Sequence, residues 1–568
     1  MFIFKPKLFT LIKNRPEEFT VSRIVTDLNA GLIVAFIAIP LSIALGIASG
    51  VMPGKGLITA VVAGFLISLF GGSRVQIGGP TGAFVIIVYG IIQQYGTSGL
   101  ITATAMAGAL LIAMGFLKFG KIIKYIPDPI VIGFTSGIAV VLFSTQINDF
   151  LGMGLASVPS DFIEKWKTYF ANIHSINPIT VIIGTATIVF MAVYPKKFKF
   201  FPGPLAALII TTLLVKFLNL PVETIYSHFG DITKSMAFKP VLPAFSFELM
   251  AKLFQPAMTI AILAGIESLL SAVVADGMIG KKHNSNTELI AQGIANIGSA
   301  FFGAIPATGA IARTAANVNN GARTPIAGIA HAFFILIIML LFMKYIVLVP
   351  MVTLAVILFT VSYRMMDFAA FKELLRAPRS DSLVLITTFV LTVFVNLVYA
   401  IEIGMILAAF LFMKRMSDIT GIDTSEDVYE GIEEEDIAEK KKLKDVVVYE
   451  INGPFFFGAA SAFVEHMEKI KECRVIILRM RKVPAMDATG YHALYKIYRK
   501  CAKTDTRLIL CQIQKQPLKV LKNYGFIEII GRNNFALNID NAFKKAESHL
   551  KALEEYNETF HLKRQSGV

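Results

Sequence analysis

Charge and cysteine are both scarce in this chain, and each scarcity closes off a class of protein. Only 17% of the 568 residues are charged against 55% hydrophobic, and the mean hydropathy is positive; ordinary soluble domains carry about 25% charge. The three cysteines, Cys473, Cys501 and Cys511, sit late in the chain and are expected as free thiols in a reducing compartment, which excludes a disulfide-stapled secreted scaffold. The polar part that ends the chain offers no nucleophile with a plausible base and no metal-ligand spacing, and no enzymatic activity, metal or other cofactor is expected. The first apolar run lacks a small-residue cleavage pattern, and its length suits a retained span.

What the chain has instead is apolar length. Runs such as 32–51, 57–70 and 333–342 approach or join the ~20 residues that cross a hydrocarbon core of about 30 Å. Fourteen segments can be marked, at 28–50, 55–71, 80–94, 98–117, 128–146, 178–194, 203–220, 255–275, 287–303, 308–318, 325–343, 346–362, 381–398 and 400–416. Alternate connections are basic: Lys5, Lys7, Lys13, Arg15 and Arg23 precede the first segment, Arg74 follows the second, and Lys118, Lys121 and Lys124 the fourth. Lys196, Lys197 and Lys199 follow the sixth, Lys281 and Lys282 the eighth, Arg323 the tenth, and Arg364, Lys372, Arg376 and Arg379 the twelfth. The net charge of +14 thus follows the positive-inside rule and does not point to nucleic acid. A multi-pass protein of the cell (inner) membrane with both termini cytoplasmic is expected.

The apolar bias stops near Met416, and EEED at 433–436 and KKK at 440–442 mark a polar stretch. The expected organisation is a cytoplasmic segment at 1–27, a membrane domain at 28–419, a charged linker at 420–443, a soluble domain at 444–552 and a tail at 553–568.

Two short signatures interrupt the apolar part, GGPTGAF at 78–84 and IPATGAI at 305–311. The segments that start there, the third and the tenth, are short for complete crossings. If each is a half-helix starting in mid-membrane, Thr81 and Thr308 can cap it, and Gly82 and Gly309 let a ligand approach the backbone. Such a break cannot face lipid, so it must line an enclosed, wet cavity. The third segment of each set of seven is an equivalent place in an inverted repeat, and the two helix N-termini then face each other. Each contributes about half a positive charge, which together make a site for a small anion. The candidate substrate residues are Gly79, Pro80, Thr81, Gly82, Ala83 and Phe84 with Thr308, Gly309, Ala310 and Ile311. The plainer alternative is that Pro80 and Pro306 only kink ordinary spans.

Charge inside the apolar part is the next filter. Glu267, in ILAGIESLLSA, is the candidate coupling-ion site: a proton could neutralise its carboxylate, or sodium could bind it with the nearby hydroxyls of Ser268 and Ser271. Its alternative role is pairing with a buried base. Arg313, in AIARTAAN, could add a full charge at the anion site, or serve as a cytoplasmic anchor. Asp276 is expected at the membrane edge.

With these residues in hand, the chain resembles a bacterial member of the SulP family of anion transporters over nearly its whole length. The matching pieces are DLNAGLIVAFIAIPLSIALGIASG, IGGPTGAF, IPDPIVIGFTSGIA, the span around Glu267, and PATGAIARTAANVNNGARTPIAG. The resemblance implies a helical fold of seven plus seven inverted-repeat segments shared with uracil permeases. A core of segments one to four and eight to eleven would move against a gate of the rest, in an elevator-like alternating access, and the protein would be a homodimer.

The soluble part, with DVVVYEINGPFFFGAASAF, VIILRMRKVPAMDATGYHAL and RLILCQIQ, alternates strand-like and amphipathic helical runs and resembles a STAS domain. Where anti-sigma-factor antagonists carry a phosphorylated hydroxyl after an Asp, this chain has Ala488 after Asp487, so Asp487–Gly490 reads as a structural turn. The domain is expected to serve dimer contact, folding or regulation, with a cytoplasmic partner as a further expectation. At the first span many SulP members place Gln after the proline, whereas this chain has Pro40, Leu41 and Ser42. A polar ligand is missing there, which brings bicarbonate and C4-dicarboxylates such as fumarate level with sulfate as substrates. The expected function is a proton-coupled symporter of a small anion, with sodium coupling, or an uncoupled channel or exchanger, as the alternatives. A nucleobase permease and a sensor that merely positions the STAS domain fit the residues less well.

Overall fold

The computed structural model describes residues 4–121, 126–155, 158–194, 201–230, 238–243, 246–395, 397–419, 421–423, 445–468 and 473–565. The EEED and KKK runs of the expected linker, with Lys124, Lys196, Lys197 and Lys199, lie outside the described residues. Two compact units emerge, Met1–Leu407 and Ala408–Val568.

The first unit is helical. A short helix α1 (Lys7–Asn14) precedes α2 (Val21–Ala48), α3 (Pro53–Phe70), α4 (Gly82–Phe116), α5 (Asp128–Thr145), α6 (Pro178–Val193) and α7 (Gly203–Phe217). Then come α8 (Phe247–Ile279), α9 (Ser285–Phe301), α10 (Ile311–Asn319), α11 (Ile326–Ile346), α12 (Met351–Met365), α13 (Arg379–Phe394) and α14 (Leu397–Ile419), the last running into the second unit. The third and fourth marked segments join as α4, which breaks at Gly96, where φ is 66° and only glycine fits comfortably. Among the described residues, six helical runs are long and apolar enough to cross a bilayer. The nine residues of α10 extend only about 14 Å, under half of a hydrocarbon core.

Small residues let the helices approach. A Cβ on Gly108 of α4 would stand 2.6 Å from the Gly293 carbonyl of α9, and one on Gly293 would stand 2.5 Å from the Gly108 carbonyl. This reciprocal contact is the small-residue packing that replaces a hydrophobic driving force within lipid.

The second unit is α/β. Strands β3 (Gly421–Asp423), β4 (Val446–Asn452), β5 (Val475–Lys482), β6 (Arg507–Cys511) and β7 (Phe535–Ala536) form one sheet in that order, with β3 antiparallel and the others parallel. Alternation sends Tyr449, Leu478 and Leu510 to a face covered by α15 (Phe457–Glu468), α16 (Ala488–Lys503) and α17 (Lys515–Asn523). Val448, Ile477, Ile509 and Cys511 face α18 (Ile539–Gln565) on the other side. Asp487 caps α16 by accepting the Gly490 N–H at 2.7 Å. Cys501 and Cys511 are buried free thiols, pushed up by that burial to about 11 and about 12.

Candidate functional site

Two residues from each signature pair as strands. β1 (Gly78–Gly79) and β2 (Thr308–Gly309) run antiparallel with Gly78 opposite Gly309 and Gly79 opposite Thr308. Glycine is required here by space: a side chain at Gly78 would collide with Ile67 and one at Gly309 with Gln76. Gly79 adds a backbone reason, with φ of 152°. From this pair α4 begins at Gly82 and α10 at Ile311, so the first-turn amides of both helices, which have no intrahelical acceptors, start from one place.

The expected threonine caps are corrected. Thr81 occupies the N-cap position of α4 but makes no capping bond; its hydroxyl donates to Glu267 Oε2 at 3.0 Å. Thr308 donates to the Ala264 carbonyl of α8 at 2.8 Å, and Ala310 holds the N-cap position of α10 without a side-chain cap. Both hydroxyls are drawn to acceptors on α8, which leaves the helix-start amides uncapped by side chains.

Arg313 lies across β1. It is 4% exposed, so it is a buried group and not a cytoplasmic anchor. Its Nη2 donates to the Pro80 carbonyl, while Nη1 has no partner and stands 2.6 Å from where a Cβ on Gly79 would be. The accessible side is made by half-buried Thr81 and Glu267 and by exposed Ile311 and Ala312. Gly82 faces Leu142 of α5 and Met365 of α12, each 3.0 Å from the place of a Cβ. Ala83 and Phe84 are buried in the core, and Ala310 nearly so. Pro40 and Ser42 are buried in α2; the Ser42 hydroxyl is unpaired and its carbonyl abuts Gly56 of α3. Ser268 and Ser271 turn away from Glu267: Ser268 Oγ donates to Glu288 at 3.3 Å and Ser271 Oγ to Thr314 at 3.0 Å.

Several supporting residues escape sequence reasoning. Gln76 donates to the Ser268 carbonyl at 2.9 Å and to its hydroxyl at 3.1 Å. Asn296 clamps Ala307, donating to its carbonyl at 2.8 Å and accepting its N–H at 2.9 Å. Thr314 accepts the Ile77 N–H at 3.0 Å, and Asn317 donates to the Val75 carbonyl at 2.8 Å. These side chains satisfy the irregular backbone that a membrane interior would otherwise penalise. Glu288, fully buried, accepts from Gly72 N–H (2.8 Å), Ser73 N–H (3.0 Å) and Gln292 Nε2 (2.9 Å). His331 of α11 is buried with both ring nitrogens unpaired; its signal was a titratable residue in an apolar run, the filter that found Glu267.

The sulfate permease family profile matches residues 24–388, which contain both signatures, Glu267 and Arg313. This chain belongs to that family. Its second unit carries the STAS domain, matched over residues 438–542. Among relatives of this chain, YvdB of Bacillus subtilis, named for sulfate transport, is 39% identical over 92% of this chain and 97% of its own. The bicarbonate transporter BicA of Picosynechococcus is 29% identical over 92% of this chain and 94% of its own. The transmembrane domain of a cyanobacterial BicA superposes with a TM-score of 0.62 at 31% identity, covering 67% of this chain and 98% of that one. The murine anion transporter Slc26a9 in its inward-facing state shares the fold, with a TM-score of 0.84 at 17% identity over 96% of both chains. The protein is a transmembrane transporter of the SulP fold with a C-terminal STAS domain.

Proposed function

We propose that the protein carries a small anion across the cell (inner) membrane as a proton-coupled secondary symporter. The observation that carries this reading is Arg313: a buried guanidinium with an unpaired Nη1, placed beside the uncapped N-termini of α4 and α10. A full charge, two helix dipoles and free backbone amides suit an oxyanion, and each donor is worth more away from water. The names of relatives support bicarbonate and sulfate, and C4-dicarboxylates such as fumarate share the same chemistry.

Glu267 is the proposed coupling residue. Its described hydrogen bond is to a single hydroxyl, that of Thr81, while Ser268 and Ser271 are engaged elsewhere. That thin oxygen ligation favours a proton over sodium. A fourteen-segment, seven-plus-seven inverted repeat with both termini cytoplasmic, elevator-like movement of a core carrying both half-helices, and a homodimer complete the reading.

The test is uptake by full-length protein in proteoliposomes, with sulfate, bicarbonate, fumarate, succinate and chloride under imposed proton or sodium gradients. Accumulation driven by a proton gradient is expected, and Glu267→Gln should retain anion binding but lose the response to that gradient. Unchanged proton-driven accumulation in the variant would remove Glu267 from the coupling role, and downhill flux alone would favour a channel.

A further inference from the structure

We infer that His331 is the internal hydrogen-bond acceptor for Arg313 in the empty carrier, and that it sets how readily the core returns across the membrane without an anion. The inference rests on the anion site proposed above. His331 is 0% exposed and neither Nδ1 nor Nε2 has a partner. A neutral imidazole offers one donor and one acceptor, and buried groups left unpaired in a native structure require a reason. Arg313 carries the complementary defect, an Nη1 donor without an acceptor, on a guanidinium that can only donate.

Both side chains pack around β1. Arg313 Nη1 stands over Gly79, 2.6 Å from the place of a Cβ. On the α3 side, the place of a Cβ on Gly64 is 3.3 Å from the Gly78 carbonyl and 3.8 Å from His331 Cδ2. Arg313 thus touches β1 at Gly79, and His331 reaches the same strand at Gly78 only across Gly64. Gly31 of α2 approaches the His331 backbone nitrogen, and Gly64 of α3 approaches its ring.

A bound anion would accept from Nη1. Once the anion leaves, a buried guanidinium nitrogen has lost its acceptor, and the loaded and empty carriers differ by that bond. Gln76 offers another unpaired acceptor, Oε1. Its amide, however, is held by two bonds to Ser268 and packs against Gly309, opposite Gly78 in register. Side chains of successive strand residues point to opposite faces, which sets Gln76 on the face away from Arg313 at Gly79. That leaves the unprotonated ring nitrogen of His331, an unpaired buried acceptor, for Nη1.

The prediction separates two fluxes. Full-length wild type is reconstituted, and the panel anion it moves fastest is followed as net uptake into anion-free vesicles and as exchange into anion-loaded vesicles. The ratio of net uptake to exchange does not depend on how much protein folds. In H331L and H331M, which lack an acceptor, the ratio should fall about tenfold, the scale expected for one buried charged hydrogen bond. In H331N and H331Q, which keep an acceptor, it should stay within about threefold of wild type. Equal ratios in the acceptor-bearing and acceptor-free variants overturn the inference; should the apolar pair not fold, ratios in H331N and H331Q that fall as far as tenfold do the same. The site reading fails separately, if R313Q leaves the exchange affinity unchanged or if wild type moves none of the panel.

Discussion

At the scale of single residues, the paired signatures work less through their threonines than through their glycines. Gly309 has no room for a Cβ because Gln76 fills that space, and Gln76 is there to bind Ser268 at 2.9 and 3.1 Å. Gly309→Ala must therefore displace Gln76 and break both bonds, which is expected to cost about 1–3 kcal/mol. Thermal unfolding of the detergent-solubilised protein measures it, and pairing the change with Gln76→Ala tests the cause: the double variant should be more stable than the sum of the single losses. Strict additivity would rule out the clash. Glu267 and Arg313 were legible in the sequence because a charge in an apolar run is costly and conspicuous. Gln76, Asn296 and Thr314 were not, since neutral polar residues pass unnoticed and their partners are remote, Gln76 being 192 positions from Ser268.

At the scale of elements, the breaks announced themselves and their fastening did not. Proline and glycine marked where two helices start, and the nine-residue α10 is as short as its signature implied. The union of two marked segments into α4 was hidden, because Gly96 in an apolar sequence reads as a loop as easily as a kink. Hidden too was the bond of the α3–β1 turn to α9. Glu288 reads as an ordinary first-turn acid of α9, yet its oxygens accept from Gly72 and Ser73 on one side and from Gln292 and Ser268 on the other. Glu288→Gln puts an NH₂ where donors converge, leaving at least one buried donor unpaired. The expected loss is about 2–3 kcal/mol, read as a lower Tm. A Tm within a degree of wild type would show that the turn is held by other contacts.

At the scale of the whole molecule, composition alone separated an apolar part from a polar one, and the second unit begins at Ala408. Crossings were harder to count, because helices that start or break within the membrane blur the relation between apolar length and span. The cysteines offer a probe that sees one unit only, for all three lie between 473 and 511. Burial holds Cys501 at about 11 and Cys511 at about 12, against an ordinary 9.0. The folded thiols keep their protons where the unfolded chain loses them. Their contribution is thus fully present below the ordinary value of 9.0 and is lost as pH rises through the window up to the folded values near 11 and 12. Full-length protein titrated with urea and labelled with a thiol reagent should show a midpoint that is flat from about pH 7 to 8.5 and falls by pH 10, less steeply in Cys511→Ala. At pH 8 native Cys501 and Cys511 should label only as fast as the second unit opens, because the thiolate is the reactive form. Rapid labelling of both in native buffer would mean that the faces of the STAS sheet are open to solvent, contrary to the packing of α16 and α18 against it.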